Sequence, residues 1–296
     1  MKKFDVLLGF DMETDVGSWT PFYEGLVHGT PRVLEIFRQH GAAGTFYFTG
    51  EAAREHPEIA RSVRAAGHEV GAHSLFHETV GDSLFPIPGM RPLLAHEVKP
   101  RLELNTAWVE EAAGVRPRSF RCPRLFGSTT VCNALNELGY VSDASYPMYF
   151  YRERLTPYHP HRDDWAREGD LSLVEIPNFA DMTMESHDEH GRDRDQWPLF
   201  RTESADALLQ RIDRFLAFLG GKGISRGVLC FYFHPWEFHP MPQGLIRYGE
   251  GAVEPQPFIV KNCGDYAVEQ FSNLLAGLKQ RGGEFKTAED IAARWR

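Results

Sequence analysis

Four short stretches of this chain bring together side chains able to work as acid, base and metal ligand. They are Asp11 and Glu13 in FDMET, His73 and His77 in HSLFH, Arg121 in RCPRLFG, and His234 in FYFHPWEF. Two histidines and one carboxylate are enough protein ligands for a catalytic zinc, with a position left for water or substrate. A divalent ion held in that way polarises a carbonyl oxygen and brings the pKa of a water down toward ~7. A second carboxylate, free of the metal, serves as general base, and a histidine on the opposite rim protonates a leaving nitrogen. An arginine keeps the base ionised through a charge-assisted hydrogen bond. Asp11, Glu13, His73, His77, Arg121 and His234 supply one group for each task. The chemistry is amide hydrolysis.

Such groups need a scaffold that aims them at one point. Apolar runs at Phe4–Phe10, Thr45–Thr49, Glu69–Ala72, Arg118–Phe120, Tyr140–Ser142, Leu173–Ile176, Gly227–Phe233 and Glu284–Phe285 read as strands. Between them lie helical patterns such as PRVLEIFRQHG, HPEIARSVRAAG and SADALLQRIDRFLAFLG, several opening near Pro, Ser or Thr and closing at Gly. The alternation predicts an α/β fold with a parallel sheet, open or closed into a barrel. The polar residues fall just after the strands: Asp11 and Glu13 after VLLGF, His73 after EVGA, Arg121 after RSF, Asp143 after YVS, Asn178 after VEIP and His234 after VLCFYF. Functional residues of parallel barrels gather on that C-terminal rim. Residues two apart in a strand point the same way, which lets Asp11 and Glu13 face one site. No linker divides the chain, so one domain over 1–296 is expected.

At these same residues the chain resembles the polysaccharide deacetylases of the NodB-homology type (carbohydrate esterase family 4). FDMET, HSLFH, RCPRLFG and FYFHPWEF look like that family's first, second, third and fifth motifs, in order, and the tail LKQRGGEFKTAEDI is similar to its last helix and strand. The resemblance runs from Phe4 to about Ala288 and implies a distorted (β/α)7–8 barrel. It implies N-deacetylation of a sugar or cleavage of a related amide, with Asp11 as base, His73 and His77 as metal ligands, His234 as acid and Arg121 orienting the base. The common first motif has adjacent aspartates; here Met12 follows Asp11, and the chain fits an Asp-x-Glu subgroup in which Glu13 becomes the third ligand. Asp15 is the substitute. Arg124 stands where many members carry an aromatic residue, which reads either as a smaller or anionic substrate or as a surface arginine. Asp143 is expected to support the catalytic histidine, with the RDDW stretch (Arg162–Trp165) as its imitation. The implied cofactor is a divalent metal, zinc first, with cobalt, nickel or iron as alternatives.

Other readings weigh less. A two-His, one-carboxylate set is also the iron triad of oxygenases, but that set has no use for both Asp11 and His234. A glycan-binding relative without activity would lack a base, acid or ligand, and none is missing. Cytosolic relatives acting on small linear or cyclic amides, allantoin among them, remain the alternative to a glycan. His187 and His190, in the charged stretch Met184–Pro198, form a decoy metal pair, and that stretch reads as a surface loop of the lid or binding kind. Net charge is −9, so nucleic acid and anionic membranes are not expected partners; self-association stays open. Four scattered cysteines and the absence of a long apolar segment suggest reduced thiols and a cytoplasmic protein.

Overall fold

The computed structural model describes residues 3–295. Eight strands form one parallel sheet: β1 (Phe4–Met12), β2 (Thr45–Phe48), β3 (Glu69–Ala72), β4 (Ser119–Phe120), β5 (Ser142–Asp143), β6 (Val174–Glu175), β7 (Gly227–Phe233) and β8 (Gly283–Phe285). From β1 the sheet continues through β2, β3, β4 and β5 to β6. β7 pairs with β1 along Phe4 to Phe10, while β8 takes its first residues and β2 its last. The curl returns on itself only through single bridges, Pro147 to Asn178 and Asn178 to Cys230 of β7. This is the distorted barrel the resemblance implies. All eight expected strands are present, the fifth displaced two residues toward the C-terminus. Two antiparallel hairpins not expected from the sequence, Pro160–His161 with Asp164–Glu168 and Ile246–Tyr248 with Gly251–Val253, lie in the connections.

β1 is buried over its whole length, and its two faces do different work. Phe4, Val6, Leu8, Phe10 and Met12 join the helix-facing core, where Phe10 touches the rings of Phe37, Phe46, Phe233, Phe238 and Phe271. Burial of such a ring is worth about 3–5 kcal/mol against truncation to alanine. Leu7 instead belongs to an inner cluster with Tyr47, Val174 and Val228, to which the C-terminal helix Ala288–Trp295 contributes Ala288, Ile291 and Ala292. Helices start where side chains accept orphan amide protons, as at Thr49, Ser128 and Ser204. Two end on left-handed glycines, Gly41 and Gly114. Among the described residues no helix is long and apolar enough to cross a membrane.

Candidate active site

The alternation of β1 decides the first two site residues. Met12 shares the parity of Phe10 and is buried in the helix-facing core. Asp11 and the residue after the strand, Glu13, have the opposite parity and line the cavity at the barrel mouth. Asp15 is turned away; its carboxylate accepts the Gly25 N–H at 2.9 Å. β3 ends at Ala72, so His73 and His77 emerge on the same rim.

Glu13, His73 and His77 are all buried, with one candidate ligand atom from each lying within 4.8 Å of the others. His77 Nε2 is 2.5 Å from Glu13 Oε2, and His73 Nε2 is 3.9 Å from the same oxygen. The tautomer of His73 follows from its other nitrogen: Nδ1 faces the Arg121 carbonyl at 2.7 Å, which can only accept, so Nδ1 carries the proton. Nε2 is left as a buried lone pair without a partner, and Glu13 Oε1 is likewise unpartnered. Burial holds His73 neutral, its pKa lowered to about 4. Burial pushes the Glu13 carboxyl upward, but the three neighbouring histidines, His77 foremost, outweigh it and hold the group down at about 2. A neutral imidazole and an ionised carboxylate are the ligand forms of these side chains. Orphaned lone pairs converging in this way fit a divalent cation with mixed nitrogen and oxygen ligands.

Beside this cluster, Asp11 is held by a buried arginine. Arg121 Nη1 donates to Asp11 Oδ1 at 2.9 Å, Nε to the Ala144 carbonyl at 3.1 Å, and Nη2 to the Phe231 carbonyl at 3.1 Å. Its guanidinium lies over the Tyr47 ring. Space for it depends on Gly9, where a Cβ would stand 2.3 Å from Nη1. The free oxygen, Asp11 Oδ2, lies 3.9 Å from His73 Nε2 and so faces the metal cluster.

His234 approaches from the end of β7, with Nε2 3.8 Å from Glu13 Oε1. Its supporting carboxylate is Glu237, three residues on, at 3.0 Å from Nδ1. Glu237 is fixed in turn by Trp197 Nε1 at 3.0 Å and Arg201 Nε at 2.5 Å. Burial opposes a charge on His234, but the bond to Glu237 and the nearby Glu13 raise its pKa. The expectation that Asp143 supports this histidine is corrected here. Asp143 lies within β5, where its carboxylate takes the Ser145 hydroxyl and neighbours Glu175. The RDDW stretch sits in a hairpin, Arg162 paired with Asp170 and Trp165 buried against tyrosines. The signal for Glu237 was present in HPWEF: a carboxylate three residues after a rim histidine closes a turn and reaches back to it.

Around these groups opens a cavity of about 420 Å³ lined by Trp19, Phe85, Arg124, Tyr149, Arg192, Asp195, Trp197, Tyr232, Trp236 and Phe258 as well as Asp11, Glu13, His77 and His234. Part of the Met184–Pro198 loop therefore walls the site, as a binding loop would. Its histidines do not form a second metal centre: His190 stacks on Phe85, and His187 is exposed. Backbone strain concentrates here. Val16, Ser18, Ser74, His77, Arg124 and Leu125 all have positive φ, which non-glycine residues adopt only where surroundings enforce it.

Residues 2–142 match the polysaccharide deacetylase family model. Over those residues the chain is similar to the polysaccharide deacetylases, and chitooligosaccharide and peptidoglycan deacetylases among its relatives support that family. It is similar to a chitooligosaccharide deacetylase of Azorhizobium caulinodans, 32% identical over 111 residues that make up 37% of this chain and 48% of that protein. The chain thus spans about half the length of this curated relative. A structure described as a polysaccharide deacetylase from Mycobacterium smegmatis superposes with a TM-score of 0.64 at 20% identity, covering 100% of this chain and 91% of the other. The Puue allantoinase gives 0.64 at 15%, covering 99% and 90%. At such identities the two structures report the shared fold.

Proposed function

We propose that this deacetylase-family chain is a metal-dependent amidohydrolase that removes the acetyl group from an N-acetylated sugar, with zinc as its metal. What supports the reading is the convergence of buried, unpartnered Glu13 Oε1 and His73 Nε2 on a point flanked by the Asp11–Arg121 and His234–Glu237 pairs. Glu13, His73 and His77 would hold the ion, which supplies Lewis acidity toward the amide carbonyl and acidifies a water. Asp11, oriented by Arg121 through Oδ1, takes the proton of the attacking water on Oδ2. His234 hands the proton on Nε2 to the departing amine, and Glu237 fixes the ring and steadies its charge. Trp197 and Trp236 pack around His234 and limit water on that side. The test is acetate release from N-acetylglucosamine oligomers by the zinc-loaded protein and by Asp11→Asn. Release that the substitution abolishes is expected; full activity in the variant would remove the base assignment.

A second reading within the same chemistry is a small linear or cyclic amide, as for an allantoinase. The cavity favours it, since about 420 Å³ suits one compact ligand. Zinc-loaded protein that hydrolyses a monomeric amide and ignores sugar oligomers would decide for it.

A further inference from the structure

The amidohydrolase reading leaves two cationic side chains in the cavity without a task. Arg124 enters from the turn Pro123–Leu125 and Arg192 from the turn Arg192–Arg194 of the long binding loop, and both line the one cavity. Arg124 is not the surface arginine its position allowed. It is part-buried, with Nη1 donating to the His77 carbonyl at 3.1 Å and its guanidinium 5.8 Å from the centre of the Trp19 ring. Arg192 lies 4.7 Å over the ring of Phe85. Among the described residues neither makes an ion pair. That is unusual in a chain of net charge −9.

The carboxylates that line the same cavity are already engaged. Asp11 is paired with Arg121, Glu13 belongs to the metal cluster, and Asp195 accepts the Tyr232 hydroxyl. With Asp11 offset by Arg121, Arg124 and Arg192 stand against Glu13 and Asp195, and a bound divalent cation would tip the cavity to a surplus of positive charge. Its other walls are aromatic: Trp19, Tyr149, Trp197 and Phe258. Guanidinium groups bind carboxylates and phosphates through paired, charge-assisted hydrogen bonds, and a rim of aromatic rings strengthens them by excluding water. Strain points to the same place: Arg124 and Leu125 are consecutive non-glycine residues at φ 59°. A backbone conformation of this cost is retained where a side chain must be aimed.

We propose that Arg124 and Arg192 form an anion-binding subsite, so that the substrate is a compact N-acyl amine carrying a carboxylate or phosphate away from the scissile amide. The inference rests on the amidohydrolase reading for the identity of the scissile bond but not for the anion. An anionic monomeric sugar and an N-acyl amino acid share this chemistry.

Two matched pairs separate the sources: N-acetylglucosamine against its 6-phosphate, and N-propylacetamide against N-acetyl-β-alanine. Binding is measured by calorimetry on the zinc-loaded Asp11→Asn protein, and turnover on the zinc-loaded wild type. At least one anionic member is expected to bind at least about tenfold more tightly than its neutral partner, roughly the value of one charge-assisted hydrogen bond. Arg124→Gln should erase most of that preference. Arg192→Gln, on an exposed side chain whose loss leaves the core intact, should reduce it as well. Equal affinity within both pairs, or a preference that survives both substitutions, overturns the subsite, as does failure of both anions to bind. Hydrolysis of neutral and anionic amides alike would then leave the amidohydrolase reading standing. Arginine-dependent binding without turnover of any amide would do the reverse.

Discussion

Among the described residues two buried groups have the composition of a metal site, and burial leaves them with different uses. Glu13, His73 and His77 sit at the mouth of the barrel; Cys132, Asp143 and Glu175 sit in its wall. Removal from water favours the neutral form of every ionisable group. For His73 the neutral form is the ligand, and it comes with an open lone pair. For the second group the neutral forms are useless to a cation. Burial drives the Cys132 thiol well above its ordinary value and raises Asp143 to about 6 and Glu175 higher than an ordinary carboxyl. Glu175 Oε1 accepts the amides of Ser145 and Tyr146 at 2.9 and 2.7 Å, which ties the carboxyl into the wall. Low dielectric prepares His73 for metal and disarms the thiol and carboxyls of the second group, whereas Glu13 stays ionised because its neighbouring histidines outweigh burial. The first group is the proposed metal site; the second braces β5 against β6.

The sharpest way to break this contrast is at the base. Asp11→Asn should lower kcat by about 10²–10⁴-fold, the usual worth of a general base, with metal content unchanged; a steady-state assay beside metal analysis checks it. Glu237→Gln should cost about 10–100-fold, as loss of an orienting partner does. It carries a pH signature too. His234 acts protonated, so activity falls as pH rises through its pKa. Glu237 raises that pKa against burial, and its neutralisation must move the alkaline limb of the pH–rate profile to lower pH. An unmoved limb would separate Glu237 from His234.

Glu175→Gln should leave activity within about twofold, as a group outside the cavity does. Its effect belongs to stability. Asp143 and Glu175 titrate higher in the folded chain than in the unfolded one, where an aspartate has a pKa of about 3.9. The fold therefore holds more protons between about pH 4 and 6 and loses stability as pH rises through that window, by up to about 1.4 kcal/mol per pH unit for one proton. The glutamine variant should flatten this fall in urea midpoints taken from pH 4 to 7; an unchanged slope would deny that these carboxyls take up protons on folding.

Much of the site was legible because β1 obeys a period of two. The same alternation that buries Phe10 and Met12 together sends Asp11 and Glu13 to the cavity, so a methionine between two acids marks the proposed ligand rather than spoiling it. His73 and Arg121 were readable for the same reason, each following a strand with a clear apolar run. Asp143 was not. Its strand has only two residues and starts at Ser142 rather than Tyr140, which puts the aspartate inside the wall and not on the rim. Glu237 lay within a recognisable motif, but its pairing depends on a tight turn after Pro235 that carries no periodicity. The cavity walls escaped for a related reason: Phe85, Arg192 and Trp197 come from irregular loops, whose meeting is set by ring contacts such as that of Phe85 with His190.

The measurement closest to the central claim is divalent metal content of the purified protein beside His73→Ala, His77→Ala and Cys132→Ala, each after reconstitution with zinc. The account predicts about one ion per chain in the wild type and in Cys132→Ala, as a single three-ligand site requires, and loss in both histidine variants. Metal retained by both histidine variants, or lost with Cys132, would contradict it and move the centre away from the barrel mouth.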